Sequence, residues 1–202
     1  MKLTSICLVF ASLLLFVPSI AQADQAAGHA GAVFGEKGQF VPAGSLYLGM
    51  GSTKAPGGGS TSEFRFSFEP QLSYFVIDNV LVGAGLLGAV RSPEGGSDTS
   101  TFGISVNGGY NINLISQLSI LPELILGYGS SSMTVSGNKF SSSAFSMEIF
   151  VPVLWHIVPH FFIGAGPDFR TDLTSTDKAG DTSSDGSKVT TFGLATTIGG
   201  WL

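Results

Sequence analysis

Residues 63–70 read EFRFSFEP. Phenylalanine occupies positions 64, 66 and 68, and Glu63, Arg65, Ser67 and Glu69 fill the places between. Strict alternation marks a β-strand, because successive side chains point to opposite faces of a sheet. In water the apolar face would cover a core and the charged face would meet solvent. Yet the stretch runs on through QLSYFV (71–76) and VLVGAGLLGAV (80–90), where almost no charge remains to hold water. The medium on each side of this strand decides the fold.

The N-terminus narrows the choice. It carries one Lys, an apolar run from Ile6 to Val17 and then Ala21-Gln22-Ala23. That is the layout of a secretory signal peptide cleaved after Ala23, and the run is shorter than the ~20 residues a spanning helix needs. Removing the first 23 of the 202 residues leaves 179, enough for one domain. Cys7, the single cysteine, leaves with the signal, which excludes disulfides, thiolate metal sites and a cysteine nucleophile in the mature chain. The net charge of −5 becomes −6 once Lys2 is gone. An acidic exported chain lacks the basic footprint of nucleic-acid binding.

Charged residues make up 11% of the chain, against roughly 25% in ordinary soluble domains. After the signal, the longest apolar stretch is the eleven residues Val80–Val90, about half a spanning helix. An exported, weakly charged, glycine- and aromatic-rich chain without membrane helices points to an outer-membrane β-barrel.

Eight segments carry strand patterning: Gly44–Thr53, Glu63–Val76, Leu81–Val90, Thr101–Ile112, Leu118–Ser130, Ser141–His156, His160–Asp172 and Val189–Leu202. Short breaks (Asp78-Asn79, Asn113–Gln117, Ile157–Pro159) alternate with long polar ones (Lys54–Ser62, Arg91–Ser100, Ser131–Phe140, Leu173–Lys188). An up-and-down transmembrane barrel produces this alternation, with short turns in the periplasm and four loops outside. The expected organisation is a signal over 1–23, a periplasmic segment over 24–42 and an eight-stranded antiparallel barrel over 43–202. Parity assigns the outer face to Leu46, Leu48 and Met50, to Phe64, Phe66 and Phe68, and to matching apolar sets on the other strands, leaving strand three undetermined. Tyr74, Tyr110, Trp155 and Trp201 are expected to form the periplasmic aromatic girdle.

With its signal, eight strands, the run P-x-L-x-Y-F-V-x-D-N (Pro70–Asn79) and an amphipathic last strand, the chain resembles the small porin-like, OmpA/OmpX-type barrels of Gram-negative outer membranes. The resemblance runs from about Gly44 to the end. It implies lipid and lipopolysaccharide as surroundings, a monomer, and a last strand read by the barrel-assembly machinery. In that family this strand usually ends in an aromatic residue; here Trp201 is penultimate and Leu202 last.

Several motifs dissolve on inspection. Gly83-x-Gly85-x-x-Gly88 spells a dinucleotide fingerprint, but RSPEGG follows where a helix should open. His156 and His160 flank a turn with no carboxylate or thiol to complete a metal set. His29 and this pair all belong to the periplasmic side, which leaves no histidine for a Ser–His pair at the outer leaflet, where a lipid A-modifying enzyme would need it. Asp172, Asp177, Asp181 and Asp185 lack EF-hand spacing and read as a solvated loop. No catalytic, cofactor or metal residue is expected.

The inward charges carry the most information. Arg65, Glu69, Glu123, Glu148, Asp168 and Arg170 share the face opposite the apolar one. An eight-stranded barrel is just wide enough for side chains to fill, so charges there must pair. A hairpin centred on Val158 would set Glu148 opposite Asp168, bridged by Arg170, with Arg65 and Glu69 extending the network. The expected role is non-enzymatic, a filled barrel that presents surface loops. The alternative is a narrow cation-preferring channel, since four of these groups are acids and two are bases.

Overall fold

The computed structural model describes residues 33–54, 60–93, 99–135, 138–179 and 182–202. The signal and its cleavage point, residues 24–32 with His29, and Asp181 lie outside them. Twelve strand segments follow in order: β1 (Phe40–Lys54), β2 (Ser60–Ile77), β3 (Val80–Pro93), β4 (Thr99–Tyr110), β5 (Ile112–Ile115), β6 (Leu118–Ile120), β7 (Glu123–Val135), β8 (Asn138–Phe150), β9 (Val153–Val158), β10 (Phe161–Ala179), β11 (Thr182–Asp185) and β12 (Lys188–Gly200). They build eight staves. β5 prolongs β4, β6 leads into β7, β9 prolongs β8, and β11 folds back on the tip of β10. Antiparallel pairing runs β1-β2-β3-β4-β7-β8-β10-β12, and β12 returns to β1, closing the barrel.

The breaks within staves have local causes. Pro122 and Pro152 lack the N–H that a ladder position requires. Their carbonyls still serve the wall, accepting from Tyr110 N and Leu121 N at 3.1 Å each. Asn111 interrupts β4/β5 because its side chain turns into the barrel end.

Parity holds around the wall. Leu48, Met50, Phe64, Phe102, Ile104, Val106, Phe192 and Leu194 are all exposed, up to 74% for Met50. A surface this apolar suits hydrocarbon and would be an aggregation liability in water. Strand three resolves as well, with Leu81, Leu87 and Ala89 inward and Val82 and Leu86 outward. Gly83 and Gly85 also face inward: a Cβ on Gly83 would meet Asn107 Oδ1 at 2.5 Å and the Leu72 carbonyl at 2.7 Å. These two fingerprint glycines make room for polar side chains inside the barrel.

Two features differ from the sequence reading. Strands continue into what read as long loops; β1 and β2 pair up to Lys54↔Ser60, and β8 and β10 up to Phe140↔Ala179. Apolar alternation ends where the apolar surface ends, but backbone pairing needs no apolar face and carries on through Ser and Thr. The β9–β10 hairpin is the second. It turns at Pro159-His160, with His160 at φ 65°, and a bulge falls between Phe161 and Phe162. The register therefore sets Glu148 opposite Arg170, and Asp168 opposite Phe150.

Candidate functional site

The interior holds three layers between the short-turn end and the long-hairpin end. The first is a stopper made by residues 33–39, which fold back into the short-turn end just before β1. Phe34 is buried inside a cage of rings, with centroids 5.2 Å from Phe75, 5.1 Å from His156, 5.4 Å from Phe162 and 5.2 Å from Trp201. Hydrogen bonds fix the turn to the wall. Asn111 Nδ2 donates to the Phe34 carbonyl at 3.0 Å, Asn79 N to the Gly35 carbonyl at 2.6 Å, and Lys37 N to Asp78 Oδ1 at 2.9 Å. Gln39 braces it from within, accepting from Gly35 N at 2.9 Å and donating to the Val33 carbonyl at 2.8 Å. Gly35 has φ +108°, and a Cβ there would meet Asn79 Oδ1 at 2.6 Å and Asn111 Nδ2 at 2.7 Å. Only glycine fits this crossing.

Trp201 belongs to this cage and not to the outer girdle expected of it. It is 4% exposed, whereas Trp155 and Tyr110 are 53% and 51% exposed on the outer wall. The parity of the last strand explains it: Ala195 and Thr197 point inward, and so does position 201. Leu202 is outward, exchanging hydrogen bonds with Phe40 at 3.0 Å in both directions.

The second layer is a neutral-donor cluster around Glu123. Asn107 Nδ2 donates to Glu123 Oε1 at 2.8 Å and to Ser73 Oγ at 3.1 Å. Glu123 is buried, and among the described residues it is held by Asn107, while Arg170, expected in the same network, pairs with Glu69 and Glu148.

The third layer is the ion network. Arg170 Nη2 donates to Glu69 Oε1 at 2.5 Å and also pairs with Glu148. Glu148 is its neighbour across the β8–β10 ladder, while Glu69 belongs to β2, so one guanidinium ties two distant parts of the wall through the lumen. Arg170 thus bridges Glu148 to Glu69, where the hairpin expected by sequence had it bridging Glu148 to Asp168. The two-residue difference in register is the cause. Asp168 is buried with Glu69 and Arg65 as its charged neighbours. Glu63 adds a member that the inward set omitted, although EFRFSFEP gives it the parity of Arg65; it is buried and accepts from Thr53 Oγ1. Beyond the network, toward the long hairpins, a cavity of about 50 Å³ is lined by Arg65, Thr101, Ser131, Ser142, Ser146 and Ser175 among others.

Two further groupings need an account. Ser119 Oγ lies 2.9 Å from His156 Nε2, the spacing of a nucleophile and its base. Ser119 is fully buried, however, and His156 Nδ1 has no hydrogen-bond partner to orient the ring among the described residues. Among the described acids of the last hairpin, Asp172 accepts from Val189 N at 3.0 Å, Asp177 pairs with Ser184, and Asp185 with Thr176. Among the described residues no group of three His, Cys, Asp or Glu side chains is arranged to hold a metal.

Comparison with solved structures decides the architecture. Neisserial surface protein A matches with a TM-score of 0.56 at 14% identity, covering 80% of this chain and 97% of its own. The fold is that of the small outer-membrane β-barrels. The outer membrane protein AlkL, solved in lipid bilayers, matches with a TM-score of 0.51 at 13% identity, covering 86% of this chain and 94% of its own. No protein-family model and no curated protein matches the sequence.

Proposed function

We propose that this chain is an integral outer-membrane protein whose barrel is a closed scaffold and whose four tall hairpins form its working surface outside the cell. The observation that carries this reading is a double obstruction. Phe34 and its ring cage fill one end, and Arg170 crosses the lumen to Glu69. A solute path needs a continuous hydrated lumen, and both obstructions stand across it. The exposed apolar band supports residence in a membrane. Short turns then face the periplasm, lipid and lipopolysaccharide surround a monomer, and the last strand is what the assembly machinery reads. In this reading the role is non-enzymatic, and it is supported by Ser119, which stands beside His156 but is fully buried, away from any acyl substrate. Planar-bilayer recording of the refolded protein tests this; the expected result is a silent bilayer, and reproducible conductance steps would overturn the reading.

A cation-preferring passage is the second reading. It is favoured, among the residues whose side chains are described, by five buried carboxylates (Glu63, Glu69, Glu123, Glu148, Asp168) against two buried guanidiniums, Arg65 and Arg170, and by the hydroxyl-lined cavity beyond them. Cation-selective steps from the unaltered protein in the same recording would favour it.

A further inference from the structure

On the outer wall, at the long-hairpin end of the β1–β12 seam, Lys54 stands directly opposite Lys188. Both side chains are exposed, and both belong to the outward parity. Directly opposed residues of an antiparallel pair hold their Cβ atoms about 5 Å apart, and like charges there destabilise the sheet. A chain of net charge −5 has few cations to spend on such a pairing. Arg65 and Arg170 are inside the barrel and Lys37 is at the other end. Lys54, Lys178 and Lys188 are the long-hairpin cations whose side chains are described, and two of these three are set against each other. Among the described residues neither of the two has a carboxylate partner.

The surroundings suit an anion. Below the lysines, Ser52 opposes Thr190, and Thr190 Oγ1 is 3.0 Å from Thr171 Oγ1. On the β2 side, Ser60 and Ser62 pair with Lys54 and Ser52. Lys188 Nζ donates to the Leu173 carbonyl at 2.8 Å, which holds it to the wall and leaves two ammonium protons for another acceptor. Next below come Met50 and Phe192, paired and pointing outward, and Phe169 beside Phe192. The wall thus passes from apolar to hydroxyl to ammonium within four residues.

Height identifies the source of the anion. Lys54 is fourteen residues along β1 from Phe40, which at ~3.3 Å per residue and a tilt of ~40° is a rise of about 35 Å. The apolar band of such barrels is about 25 Å tall, so the lysines clear it by roughly the depth of a headgroup. We infer that Lys54 and Lys188 together seat a phosphate of a phosphorylated outer-leaflet glycolipid, with its acyl chains against Met50, Phe192 and Phe169. The inference rests on the outer-membrane reading above. Phosphate would turn the opposed pair from a repulsion into a shared counter-ion contact.

The test uses purified barrel refolded in phosphatidylcholine vesicles doped with bisphosphorylated lipid A, which runs independently of where the cell delivers the protein. Folding is checked by the gel shift on boiling, and the lipid A retained after re-extraction is counted by native mass spectrometry. The Lys54→Ser/Lys188→Ser protein should retain roughly 30-fold less than the unaltered barrel. Lys178→Ser should retain as much as the unaltered barrel, and lipid A stripped of phosphate should not be retained. Equal retention by the double variant or of the phosphate-free lipid would overturn the inference. Displacement by millimolar inorganic phosphate would also overturn it, by making this a free-anion site.

Discussion

Arg170 faces Glu148 across the β8–β10 ladder, and the same guanidinium reaches over the lumen to Glu69. Both carboxylates and the guanidinium are nearly inaccessible, with side chains 9% exposed or less. Replacing Arg170 by Met leaves two uncompensated buried carboxylates, which costs about 3–5 kcal/mol. Urea unfolding in lipid vesicles should register the loss. Adding Glu69→Gln and Glu148→Gln should recover a large part of it, because the cost lies in the orphaned charges and not in the missing contact.

The stopper makes a separate prediction. Phe34→Ala empties a ring cage that cannot collapse, and a buried Phe→Ala change costs about 3–5 kcal/mol. The chain has two tryptophans, and Trp155 is on the outer wall. In a Trp155→Phe background the emission therefore reports Trp201 alone. It should shift to longer wavelength and become open to aqueous quenchers when Phe34 is removed; an unchanged spectrum would argue against the cage.

Gly83 should not accept a side chain. A Cβ there collides with Asn107 and with the Leu72 carbonyl, which is backbone and cannot swing away. Gly83→Val should cost roughly 1–3 kcal/mol by overpacking, and more than the same change at Gly88, where the nearest atom is at 3.5 Å. Comparing the two variants' urea midpoints checks it.

The β2–β3 turn depends on Asn79, whose φ is 63°. It also accepts from Asn111 Nδ2 at 3.3 Å. Asn79→Gly keeps the left-handed conformation and should be milder than Asn79→Ala, which adds a steric cost of about 1 kcal/mol. Equal destabilisation of the two would mean that the side-chain bond, not the backbone, governs the turn.

These sites differ in how far the sequence exposes them. EFRFSFEP makes its parity plain because lipid outside and a packed lumen inside ask for opposite chemistry at alternate residues, and the whole wall repeats that demand. Trp201 was legible by the same parity, since it is in step with Ala195 and Thr197; aromatic identity near a chain end outweighed it. The pairing of Glu148 with Arg170 was not legible. A bulge beside Phe161 and a left-handed His160 reset the register, and neither leaves a pattern in the residue types. Phe34 is in the same position. Its neighbours in the chain are Ala, Val and Gly, and its partners come from four distant places in the sequence.

Those four partners have a consequence for how the molecule is completed. Phe75 comes from β2, His156 from β9, Phe162 from β10, and Trp201 from the residues after β12. No subset of early strands can offer Phe34 its seat. The cage exists only when the last stave has met the first, where Phe40 and Leu202 exchange hydrogen bonds. A residue near the start of the chain is thus a gauge of whether the end has arrived. A barrel left open at the seam would leave an aromatic ring and its turn hanging in water, marked as unfinished.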